Sequence, residues 1–210
     1  MSTVISGADH DQVGILGGTG PVATLHLHQR VIERALSRGA RSDADFPQLI
    51  IASLALPDAD ATGAWSDEGI SERVELLRSA GCSRLVSACN ALAAHTDQVP
   101  SLPRAVLERC QGVKRLGVLC AASTREHRLY EDGRDVRYSE QDAVTELIEL
   151  GMRAQSRPQA LLALIEDLRA LGCELIVLGC TELTVHYPAG GWPPDVIDSV
   201  DVACDLVMGV

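Results

Sequence analysis

Two cysteines, Cys89 and Cys180, have the residue type and setting for proton chemistry at carbon. Inverting an sp³ carbon by proton removal needs a base on one face and an acid on the other, and one side chain rarely does both. A thiol with a reference pKa of about 8.5 serves as acid or, once ionised, as base. Asn90 comes after the first cysteine and Thr181 after the second, small polar residues that suit a strand-to-helix turn. A helix N-terminus there would lower the thiol pKa and aim backbone N–H groups at a substrate carboxylate.

The elements that must position these thiols are written as an internal repeat. Glu75, Leu77, Arg78, Gly81, Cys82 and Cys89 recur without a gap, 91 residues later, as Glu166, Leu168, Arg169, Gly172, Cys173 and Cys180. Each copy reads as a helix ending near an Arg, a Gly C-cap, a short apolar strand and a Cys at the strand's end. Each half opens with a similar strand, Val13–Leu16 and Leu116–Leu119, offset by 103. Further short apolar runs predict strands at Leu49–Ala52, Arg84–Val86, Asp135–Tyr138 and Leu175–Leu178. Helical stripes run through Ile70, Val74 and Leu77 and through Leu161, Leu164, Ile165, Leu168 and Leu171. The expected fold is α/β, with two pseudo-symmetric lobes, each a short, mostly parallel sheet flanked by helices. Residues 1–98 form the first lobe and 99–198 the second, with the helix 199–210 packing back on the first. Strand carboxyl ends hold ligands in such sheets, so a twofold relation places the two sulfurs across one cleft.

Composition bounds the rest. The 210-residue chain is 46% apolar and carries a formal charge of −11, which argues against nucleic acid as a partner. No apolar stretch approaches the roughly 20 residues that cross a bilayer, and no leader pattern stands at the start, so a cytoplasmic protein without membrane partners is expected. Seven cysteines without dense spacing argue against a disulfide framework. Cys82, Cys110, Cys120, Cys173 and Cys204 read as small core hydrophobes. His26 and His28 lie two apart on a helix and face different ways, so no metal site is expected.

Over nearly its whole length the chain resembles the aspartate/glutamate racemase family. The resemblance lies in Val13 to Pro21 with Ala23-Thr24, in Asp45-Phe46-Pro47, in Ala88-Cys89-Asn90, in Gly179-Cys180-Thr181-Glu182-Leu183 and in Asp198-Ser199. It implies two lobes with the active site in the cleft between them, no cofactor, no metal, and Cys89 and Cys180 as the catalytic acid/base pair. It further implies that Thr19, Asn90, Thr124 and Thr181 bind the carboxylate or amine of a small amino-acid substrate, that Glu182 supports the second cysteine's turn, and that the protein is a homodimer.

The departures fall where the family recognises its substrate. After Pro57-Asp58, aspartate-type members usually carry an arginine that clamps the side-chain carboxylate, and here stands Ala59. Ala91 replaces a frequent Thr and Val22 a frequent acidic residue. No lysine lies between Ile148 and Arg153, where Arg153 is the alternative charge. A distal carboxylate buried without a counter-ion costs several kcal/mol, so aspartate is not the expected substrate. Three rival readings stand beside racemisation. The same cleft can serve isomerisation, elimination or decarboxylation of a small carboxylate, or bind a metabolite without turnover. Gly18-Thr19-Gly20-Pro21-Val22-Ala23 also matches the dinucleotide fingerprint, although no acidic residue ends the second strand at Ser53 to Leu56.

Overall fold

The computed structural model describes residues 12–54, 67–188 and 190–210. Ala59 and the Pro57-Asp58 pair lie outside them. Two wholly parallel sheets are flanked by helices. The first contains β1 (Val13–Gly17), β2 (Leu49–Ser53) and β3 (Arg84–Ser87) in the order β2-β1-β3, connected by α1 (Pro21–Ser37) and α2 (Asp67–Ser79). The helix α3 (Leu102–Arg109) leads to β4 (Arg115–Leu119), α4 (Ala122–Glu126), β5 (Asp135–Tyr138), α5 (Gln141–Met152), α6 (Pro158–Ala170) and β6 (Leu175–Leu178). The second sheet runs β5-β4-β6 and repeats the first sheet's order. It then adds β7 (Val196–Asp198) beside β6, a three-residue strand too short to signal itself in sequence, before α7 (Ser199–Met208).

The repeat is visible atom by atom. Gly81 and Gly172 take φ of +92° and +79° after α2 and α6, a conformation favouring glycine. In each copy the next cysteine N–H reaches back over the helix end, Cys82 to the Leu77 carbonyl at 3.0 Å and Cys173 to that of Leu168 at 3.2 Å, closing a Schellman turn. Cys82 then packs against Gly14 of β1, and Cys173 against Gly117 of β4, where an added Cβ would lie 3.1 Å from Cys82 Sγ and 3.3 Å from Cys173 Cβ. Those cysteines and Cys110, Cys120 and Cys204 are buried free thiols. Leu171, assigned to the core stripe of α6, lies past the helix end and is 54% exposed.

One apolar cluster runs through both halves: Ile15, Leu27 and Val86, then Leu102 and Val106 of α3, Val118, Tyr130 and Val177, and Val200, Ala203 and Val207 of α7. The closing helix packs on α1, α3 and β3. Its Asp205, 7% exposed, accepts from both Arg34 of α1 and Arg109 of α3. The Arg84 guanidinium donates to the Leu206 carbonyl at 3.1 Å, covering the helix's C-terminal end. Among the described residues no helix is long and apolar enough to cross a membrane.

Candidate active site

In both sheets the chain leaves the central strand toward one edge and the next strand toward the other. The crevices at β1/β3 and β4/β6 are therefore topological switch points, where open α/β sheets bind ligands. Cys89 and Cys180 stand just beyond β3 and β6, held there by equivalent bonds. The Ala88 N–H donates to the Leu16 carbonyl at 3.1 Å, and the Gly179 N–H to that of Leu119 at 2.7 Å. After each cysteine the chain makes a single short 3₁₀ segment, Ala91–Ala94 or Thr181–His186, and not the α-helix expected from the sequence.

That difference matters for the thiols. Burial, then the charge of Glu182, push Cys89 up to about 11, against the pull of the Thr19 hydroxyl and the N–H groups of Leu92 and Ala91. Burial and Glu182 likewise push Cys180 well above the usual thiol range, and the neighbouring Cys89 adds to the rise. The lowered thiol pKa expected at a helix N-terminus is not found, because two short turns offset little of the desolvation. The Cys180 thiol donates to Glu182 Oε2 at 3.1 Å. Beside Cys89 the crevice toward Leu92, Ala93 and Thr96 has no room for a water.

Glu182 is 8% exposed, and burial holds its carboxyl above the usual range. Its Oε1 lies against Gly20, where a Cβ would come within 1.9 Å, and Gly20 also has φ +102°. Only glycine lets the loop and the carboxyl meet. A carboxylate facing this loop repels a pyrophosphate, so the glycine turn does not fit a dinucleotide. From behind, Gly151 of α5 presses on the Glu182 carbonyl, and buried His186 links the end of the turn to the carbonyl of Leu147 and the N–H of Arg157.

Thr19, Cys89, Cys180 and Glu182 thus share one charge environment, while Asn90 and Thr181 fasten the halves together. The Thr181 hydroxyl donates to the Ala88 carbonyl at 2.9 Å. Asn90 Nδ2 donates to Ser199 Oγ at 3.0 Å, and its Oδ1 accepts from the Tyr130 hydroxyl at 2.7 Å. Among the described residues the second Asn90 amide hydrogen has no acceptor. Thr124, 1% exposed on α4 beside the first 3₁₀ turn, has a hydroxyl with no hydrogen-bond partner among the described residues. Tyr130 and the amides of Ala91 and Leu92 escaped the sequence reading, since neither a lone tyrosine nor an apolar residue's N–H carries a motif. Arg153 is exposed and pairs with Glu149, four residues earlier. No basic side chain stands among the main influences on either thiol. Among the described residues no cluster of three or more His, Cys, Asp or Glu is placed to hold a metal.

Solved structures share this two-lobed fold. The fold matches an aspartate racemase homologue from Pyrococcus horikoshii OT3 with a TM-score of 0.73 and 24% identity, over 95% of this chain and 98% of that one. It matches an aspartate racemase from Picrophilus torridus with a TM-score of 0.73 and 22% identity, over 95% and 94%. A glutamate racemase from Francisella tularensis, solved with D-glutamate, matches with a TM-score of 0.62 and 12% identity, over 96% and 81%. The family model for Asp/Glu/Hydantoin racemase covers residues 16–207, so the chain belongs to that family and is an isomerase of the racemase type.

Proposed function

We propose that the protein is a cofactor-independent amino-acid racemase in which Cys89 and Cys180 exchange protons with the substrate α-carbon. The observation that carries this reading is the placement of the two thiols at equivalent strand ends of a repeated unit, near enough that the charge of Cys89 acts on Cys180. In one direction the thiolate of one cysteine takes the α-proton and the thiol of the other returns a proton to the opposite face; the reverse direction exchanges the roles. The Thr19 hydroxyl and the Ala91 and Leu92 amides are anion stabilisers for Cys89. Glu182, bonded to Cys180, is the group to which that thiol passes its proton when it must act as base.

The substrate has an uncharged side chain. Ala59 supplies no counter-ion, no basic residue governs the thiols, and Glu182 adds a negative charge that disfavours a second substrate carboxylate. The α-carboxylate is assigned to the orphan Thr124 hydroxyl with Thr19 and Asn90, and the ammonium to Glu182 and the Thr181 hydroxyl oxygen. Family resemblance favours a homodimer.

Incubation in D₂O with a panel of amino acids tests this, with α-deuterium read by mass spectrometry and configuration by chiral chromatography. Exchange with inversion is expected for a neutral amino acid, with Cys89→Ala and Cys180→Ala each reducing it at least about 10²-fold. Turnover of L-aspartate as fast as any neutral amino acid defeats the substrate assignment. Absence of exchange with every amino acid moves the cleft to another reaction of a small carboxylate, or to binding alone.

A further inference from the structure

Outside the cysteine cleft, a groove of about 590 Å³ opens at the carboxyl ends of β4 and β5, lined by Ala122, Arg125, Glu126, Glu131, Tyr138 and Gln141. Its volume is within the range of small-metabolite sites. Neither cysteine, nor Thr19, nor Glu182 lines it.

Its charges are unequally spent. The Arg125 guanidinium lies over the Tyr138 ring, 4.8 Å from the centroid, a cation–π contact. Among the described residues the side chains of Arg125 and Glu126 have neither a hydrogen-bond nor an ion-pair partner. Glu131, by contrast, is held by Arg128 at 2.6 Å. Gln141 donates to the Cys120 carbonyl at 3.2 Å, leaving its own oxygen as an acceptor. A planar fork of donors beside a carboxylate and an amide oxygen matches a carboxylate and an ammonium on one small molecule. A phosphate or dicarboxylate fits poorly, facing two carboxylates in a chain of net charge −11.

We propose that this groove is a second ligand site, separate from the cysteine cleft, that takes a free amino acid with its α-carboxylate on Arg125 and its ammonium on Glu126. The inference does not depend on the racemase mechanism. On α4, Ala122, Arg125 and Glu126 face the groove while buried Thr124 lies on the side of the cleft, so one short helix borders both sites.

The test is a titration of the ¹⁵N-labelled full chain with glycine, and separately with acetate, tracking backbone amide shifts. Glycine is expected to give saturable shifts at residues 122–126 and 138–141, at least tenfold weaker binding in Arg125→Ala, an intermediate loss in Arg125→Lys, and unchanged binding in the Cys89→Ala/Cys180→Ala double variant. Acetate is expected to bind at least tenfold more weakly than glycine. Arg125 is exposed, so its substitution leaves the fold intact. The proposal is overturned by shifts confined to residues 19–20, 89–91 and 180–182, by glycine binding indifferent to Arg125→Ala, or by acetate binding as tightly as glycine. Loss of the groove shifts in the double cysteine variant also overturns it, because one ligand would then be reaching into both regions.

Discussion

Glu182 sets the charge of the cleft. Its carboxyl raises both thiols, receives the Cys180 S–H and rests on the one loop residue that leaves it space. Glu182→Gln removes a charge while keeping the shape, so both thiols titrate lower and Cys180 loses its proton acceptor. Expected are a kcat reduced about 10²-fold and a basic limb of the kcat/KM profile moved to lower pH. A variant with wild-type rate and an unmoved limb shows that Glu182 is only packing. Asp198, buried at the N-cap of α7, is a second perturbed carboxyl. Burial, then the charge of Asp201, raise its carboxyl to about 6, while the Val200 and Trp192 N–H groups oppose the rise. A folded pKa above the unfolded 3.8 means the native state holds this proton more tightly. The contribution is complete below that value and is lost as pH rises through 6, in all about 3 kcal/mol. Denaturant titrations from pH 4 to 7 are expected to show that Asp198→Asn, which still accepts from Val200, escapes this loss; parallel curves for the two proteins refute it.

At the scale of elements, the turns after β3 and β6 are fixed more by what they touch across the cleft than by their own propensities. Asn90 begins one turn and is clamped between Tyr130 and Ser199, the latter at the start of α7. Tyr130→Phe leaves Asn90 Oδ1 buried without its donor, a cost of about 1–3 kcal/mol. Thermal unfolding should show that loss, accompanied by a higher KM because the first turn is no longer held. An unchanged Tm rules out Tyr130 as a fastening between the halves.

At the scale of the whole molecule, the two sheets share one apolar cluster bridged by α3 and α7. The halves are therefore expected to unfold together, although each repeats the other's topology. Leu102 of α3 is 1% exposed within the cluster, and Leu102→Ala should cost about 2–5 kcal/mol. In a Trp65→Phe background, Trp192 fluorescence and far-ultraviolet dichroism should lose this stability in coincident transitions. Separated transitions would mean that the lobes fold independently.

Local pattern was enough to locate six strands and the duplicated helix-glycine-strand-cysteine unit, because period, glycine caps and apolar runs are properties of neighbouring residues. The family, and with it the pair Cys89 and Cys180 as candidates, was legible for the same reason. β7 was missed since three residues carry no period, and Leu171 was misplaced because the stripe continues past the point where the helix stops. The thiol environment lay beyond the sequence altogether. The contact of the Glu182 carboxyl with Gly20 and the Tyr130–Asn90–Ser199 chain join residues 40 or more positions apart, and desolvation of the thiols depends on everything packed around them. Only close packing of the two halves brings those groups together, so tertiary structure alone decided which form of each thiol the cleft favours.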